Sequence, residues 1–163
     1  MSNLMTSTEI KDIVTPVVAF DPSFFATSLD YIEQTIIKCI LTEAYYDDLI
    51  VKVALLPATP LSAADQAVYD IVLNAEAYAV AFASYSKDLE RKTNNQGIME
   101  NYTQWSKSAA DTAAKRILAT IKQREFDYCK ELGVFLIDNK ATYPLFDADK
   151  ISYEPNFRRF FPI

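Results

Sequence analysis

One stretch constrains this chain more than any other: residues 64–89, ADQAVYDIVLNAEAYAVAFASYSKDL. Its polar residues Gln66, Asp70, Asn74, Ser84 and Asp88 fall on one line, and Ala77 and Ala81 fill that line between Asn74 and Ser84. Steps of three or four mark one narrow stripe of a helix. Most of the remaining circumference is apolar: Val68, Ile71, Val72, Leu73, Ala75, Tyr78, Ala79, Val80 and Phe82. A helix apolar most of the way round must be covered on several sides. The stretch therefore predicts a central helix with others laid against it, and it reads as packing, not chemistry.

The rest of the chain supplies those partners. Asp21-Pro22 is a helix start, and Phe25, Leu29, Ile32, Ile36 and Ile40 form the apolar stripe that follows, with Glu33, Gln34 and Lys38 off it. Thr42 is either a cap opening a second helix, with Tyr45, Tyr46, Leu49, Val53 and Leu56 apolar, or a residue within one long helix. Pro57 and Pro60 mark a loop, and Ser62 caps the central helix. Residues 90–101, ERKTNNQGIMEN, read as an exposed loop or hairpin. In the last long helix Ala110, Ala114, Ile117, Ile121, Tyr128 and Leu132 mark the buried face, and Lys107, Asp111 and Lys115 a solvated one. Trp105 and Tyr102 open that helix, and Trp105 reads as a core anchor, with contact to a partner as the alternative. Gly133 stands where a C-cap belongs, and Tyr143-Pro144-Leu145-Phe146 as an aromatic knot beyond it. Ahead of all this, a helical turn over residues 7–13 takes Ser7 or Thr8 as its cap. The expected fold is all-α: one domain over residues 1–163, with an N-terminal arm (1–20), a bundle of about four main helices (21–146) and a C-terminal arm (147–163).

Composition excludes several functions. With no histidine, Ser-His-Asp and Cys-His catalysis and His metal sites are ruled out. Only two glycines occur, few for a phosphate-cradling loop. The net charge of −6 argues against a general affinity for nucleic-acid phosphates. Cys39 and Cys129 read as small buried hydrophobes. Asp47-Asp48 and the pair Asp147 and Asp149 lack the loop context of a cation site and read as solvated surface. Glu125, Asp127 and Glu131 read as helix-surface charges, and no carboxylate is expected to be buried deeply enough for acid–base use. No catalytic, cofactor or metal residue is assigned, and no cofactor or small-molecule substrate is expected. No secretory leader and no membrane span is read in the sequence, which points to a cytosol-like compartment.

The informative local features are apolar arms. Val17, Val18 and Phe20 follow Pro16, and Phe157, Arg158, Arg159, Phe160, Phe161 and Ile163 crowd the last residues. Each buried Phe is worth about 2 kcal/mol, so some surface must receive them. That surface is the chain's own bundle or a neighbouring subunit. The interleaved arginines favour an acidic partner, including a second copy, and nucleic-acid binding is the weaker use of the same residues.

The run FDPSFFATSLDYIEQTIIKCILTEAYYDDL resembles the opening of the helical head-to-tail connector (adaptor) proteins of tailed bacteriophages, particularly those of Bacteroidetes phages and prophages, including crAss-like phages. Their usual shape is a helix ending in an apolar pair, a break, an aromatic pair and a second helix. Ile40-Leu41, Thr42 and Tyr45-Tyr46 match those places, although the family's joint is often Gly. The likeness runs over about residues 20–146, through the FLIDNKATYPLF ending, as a pattern of order and spacing. It implies a non-enzymatic virion protein, made in the host cytoplasm, that forms a homo-oligomeric ring, typically of twelve copies, between portal and tail. Its partners would be itself, the portal protein, further neck or tail proteins, and DNA passing through the lumen without sequence recognition. The other reading of the same residues is a cytosolic helical interaction module or regulator with no virion role.

Overall fold

The computed structural model describes residues 3–14, 23–95 and 104–151. It is an all-α bundle, and no strand occurs among the described residues. Its helices are α1 (Ser7–Val14), α2 (Ser23–Ile32), α3 (Lys38–Leu41), α4 (Glu43–Ala54), α5 (Ala63–Asn95) and α6 (Gln104–Asp138); a π-helical turn over Glu33–Ile37 joins α2 to α3. A 3-10 turn at Ala148–Lys150 follows. No helix among the described residues is long and apolar enough to cross a membrane.

Helix starts follow the local chemistry. Thr6 and Glu9 form a reciprocal capping box: the Thr6 N–H donates to Glu9 Oε2 at 2.7 Å, and the Glu9 N–H donates to Thr6 Oγ1 at 3.3 Å. The cap is thus Thr6, one residue before Ser7 and two before Thr8, the expected candidates. Ser62 caps α5 as expected, accepting from the Asp65 N–H at 3.1 Å and donating to Asp65 Oδ2 at 2.8 Å. Asp21 and Pro22 lie outside the described residues.

The central helix is α5, 33 residues or about 50 Å long. From Ala75 to Ala81 every residue is buried, so this segment is enclosed on all sides. Two apolar clusters divide its length. The first gathers Ile40, Leu41, Tyr45, Tyr46 and Leu49 against Val68, Val72 and Ala75, with Leu132 and Leu136 of α6. Tyr143 and Phe146, the expected aromatic knot, close it, and the Tyr143 hydroxyl donates to the Ala64 carbonyl at 3.1 Å. The second gathers Met5, Ile10 and Val14, then Phe25, Leu29 and Ile32, against residues 77–81 and Ile121. Of the N-terminal arm, residues 3–14 therefore dock on their own bundle. Arg124 of α6 donates to the Tyr78 hydroxyl and lies over that ring, and Tyr78 stacks on Tyr128 with centroids 5.5 Å apart.

Several expectations are corrected. Residues 90–95 continue α5 and are not loop, because no helix breaker precedes Gly97. Gly133 is no C-cap: α6 runs through it to Asp138, its φ is not positive, and a Cβ there would meet nothing within 4 Å. Cys39 is half-buried where full burial was expected, while Cys129 is buried. Ser84 is buried with its hydroxyl unsatisfied instead of lying on a polar stripe. The side chains of Tyr102, Trp105, Lys107, Ala110 and Asp111 lie outside the description.

Thr42 settles as a joint. It separates α3 from α4 with φ 66° and ψ 152°, a region that is nearly glycine-only. Its carbonyl accepts from the Tyr46 N–H at 2.9 Å, but its side chain makes no cap and Oγ1 is buried without a partner. A β-branched residue here carries strain of about 1–3 kcal/mol, more than the roughly 0.5–1 kcal/mol of extra unfolded-state freedom a glycine brings. Thr42→Gly is therefore expected to raise the melting temperature, by about 2–4 °C per kcal/mol gained. Thr42→Ala, which removes the orphan hydroxyl and keeps the strain, should gain less; equal gains would mean the backbone is relaxed. Gly133→Ala should add about 0.5–1 kcal/mol in denaturant titrations, since a helical Ala replaces Gly in open space.

Candidate functional site

Between the two apolar clusters lies a buried polar layer. Glu33, on the π-helical turn, is 1 % exposed, and Glu76, at the middle of α5, is 0 % exposed. Each interrupts its helix at the boundary: Ile32 and Ala77 belong to one cluster, Ile37 and Ala75 to the other. Glu33 Oε1 accepts from the Leu4 N–H at 2.8 Å and from the Tyr46 hydroxyl at 2.9 Å, and Gln34 Nε2 donates to that hydroxyl at 3.2 Å. The Tyr69 hydroxyl donates to the Leu4 carbonyl at 2.9 Å, which fixes the N-terminal segment over the layer. Neither carboxylate oxygen of Glu76 has a hydrogen-bond partner.

The electrostatics follow from burial. Desolvation pushes the Glu76 carboxyl well above the ordinary carboxylate range, and the nearby charges of Glu33 and Glu9 push the same way. Desolvation also raises Glu33, against the two hydrogen bonds it accepts. Tyr69 is pushed up to about 12, by burial first and then by Glu9, Glu76 and Asp70. On α6, burial raises Glu125 to about 7, opposed by Lys122. Glu33 and Glu76 correct the expectation that no carboxylate is deeply buried, and Glu125, half-buried, is raised as well. Glu76 was legible in one respect: at 100° per residue it stands about 200° from Asn74, opposite the polar stripe. Flanking alanines, small enough to let other helices close over it, hid the signal. The sequence reading sets Glu33 off the apolar stripe, but it stands four residues past buried Leu29, and its partners, the Leu4 N–H and the Tyr46 hydroxyl, are distant in sequence.

This layer can hold protons, but it is closed to solvent. The surface feature nearest a binding site is an open groove of about 970 Å³ where α4 begins, between Thr42, Glu43, Ala44 and Asp47 on one side and Pro144, Leu145 and Phe146 on the other, with residues 147–150 as its rim. Lys38 bridges Glu43 at 3.0 Å and Asp47 at 3.6 Å. Lys150 pairs with Asp147 at 3.2 Å. Asp47, Asp147 and Asp149, expected as plain surface charges, thus share one concavity. No group of three or more metal-ligating side chains occurs among the described residues. Val17, Val18, Phe20, Phe157, Arg158, Arg159, Phe160, Phe161 and Ile163, the predicted contact residues, lie outside them.

A protein-family profile, described as a family of unknown function (DUF6712), matches residues 37–154, well over half of the chain. The chain belongs to the DUF6712 family. The span matched by DUF6712 takes in the Thr42 joint, the groove, α5 with Glu76, and α6; Glu33 falls just before it, and residues 157–163 after it. No curated protein and no solved structure matches the chain.

The buried acids predict a pH dependence. A carboxyl whose folded pKa is raised keeps its full contribution below the unfolded value, near 4.5, and stability falls as pH rises from there toward the folded value. Urea unfolding should therefore show stability declining from pH 5 to pH 8. Glu76→Gln is expected to flatten that decline and to gain at least about 1 kcal/mol at pH 8, by removing a charge that lacks a partner. An unchanged pH profile would mean Glu76 is solvated in solution.

Proposed function

We propose that this DUF6712 protein is a structural virion protein that forms a ring in the head-to-tail connector of a tailed phage, between portal and tail. The observation that carries the reading is the joint. Buried Ile40 and Leu41 end one helix, Thr42 breaks the chain at φ 66°, and buried Tyr45 and Tyr46 open the next. A break at this place is what the connector reading expects, and the joint supports it. The bundle also leaves apolar side chains outside its core, among them Val51 (62 % exposed), Leu55, Val134, Ile137 and Leu145. Residues of this kind suit heterologous contacts in a closed ring.

The reading takes the chain as non-enzymatic. Glu33 and Glu76, two acids whose carboxyls burial raises, are sealed from any substrate, while Glu125, raised to about 7, is half-buried on α6 with Lys122 beside it. The net charge of −6 suits a channel wall, where like charge keeps passing DNA from adhering. The cytosolic-module reading differs in assembly: it requires a monomer or dimer with the C-terminal arm folded home.

The test is assembly on a portal. Mixed with the portal protein of the same phage, the chain should add a ring with a central channel in negative-stain microscopy. A chain that stays monomeric beside assembled portal would overturn the reading. Deletion of residues 156–163 is expected to leave the far-UV circular dichroism of the bundle intact and to abolish ring formation. Loss of the helical signal instead would assign that segment to the core.

A further inference from the structure

The groove beside Thr42 carries chemistry that suits a particular occupant. Four carboxylates line it, from Glu43, Asp47, Asp147 and Asp149, against the ammonium groups of Lys140 and Lys150. No ion pair among the described residues reaches Asp149, which is exposed. Pro144 and Leu145, the latter 46 % exposed, add an apolar wall. Thr42 lines the same groove, and its buried hydroxyl has no hydrogen-bond partner. A ligand complementary to this groove pairs cationic donors with apolar rings.

The chain's own sequence contains that ligand. Residues 157–163 read Phe-Arg-Arg-Phe-Phe-Pro-Ile. A guanidinium takes a carboxylate through two parallel hydrogen bonds, a geometry that the point charge of Lys38 cannot match at Asp47. We propose that the groove is the docking site for residues 157–163 of a second copy of this chain, with Arg158 and Arg159 on Asp47 and Asp149, and Phe160 and Phe161 against Pro144 and Leu145. The second copy is favoured by reach. The groove's rim is residues 147–150, and only residues 152–156, Pro155 among them, lie between Ile151 and Phe157. Returning to the same groove needs a reversal within those five residues, whereas an extended run would carry Phe157 up to about 20 Å from Ile151. Tail into groove, repeated copy to copy, is a heterologous contact; its closure into a ring rests on the connector reading above.

Photo-crosslinking of the full chain tests this. Phe160 is replaced by p-benzoylphenylalanine, ¹⁵N-labelled and unlabelled chains are mixed, and linked peptides are identified by mass spectrometry. Mixed-isotope links from position 160 to residues 42–47 or 144–150 are expected. Arg158→Glu with Arg159→Glu in the same chain should cut their yield by about tenfold or more, the loss expected when charge-assisted hydrogen bonds are removed. Links only within one isotope would place the tail on its own bundle and overturn the proposal, as would links elsewhere or none. Microscopy of the same sample separates the two readings. Rings without groove links sink the docking site alone, and groove links in open strings or dimers sink the ring alone.

Discussion

Everything in this bundle depends on the enclosure of α5 between Ala75 and Ala81. A helix covered on every side needs small residues where other helices approach closely, and here Ala75, Ala77, Ala79 and Ala81 supply them. The consequence is a two-storey core. One storey is built by the α3–α4 corner and the end of α6, the other by α1 and α2. Both long helices, α5 and α6, belong to both, so neither storey can be rearranged without moving the other. Such continuity makes a rigid block with defined ends, a suitable basis for presenting a surface groove.

The floor between the storeys is polar, and this is where the sequence was hardest to read. The central helix, the Ser62 cap, the stripe through Phe25, Leu29 and Ile32, and the aromatic closure at Tyr143 and Phe146 all follow from periodicity and capping, which are local properties. Glu76 is not local. Its neighbours in sequence are alanines, and its fate depends on which helices close over them. Glu33 depends on the Leu4 N–H and the Tyr46 hydroxyl, partners far along the chain that periodicity does not see. Gly133 failed in the opposite direction: a residue with C-cap preference was overridden by packing of Leu132 and Leu136 on either side of it.

The surface features were partly legible. Asp47, Asp147 and Asp149 were visible as charges, but far apart in sequence they gave no hint of a shared concavity. The groove exists because Thr42 turns the chain sharply and the segment after α6 folds back beside the turn. The joint itself was legible as a choice between two conformations. The unusual φ at Thr42 resolved it, and that is a property of the folded backbone, which no side-chain pattern encodes.

The orphan carboxyl of Glu76 gives the fold a chemical stoichiometry. A carboxyl whose pKa is raised by burial binds more protons in the folded chain than in the unfolded one at any pH between the two values, so folding there takes up protons and unfolding releases them. Folding of this molecule is thus an acid-consuming reaction, and its calorimetric heat will vary with the ionisation enthalpy of whatever buffer supplies the proton.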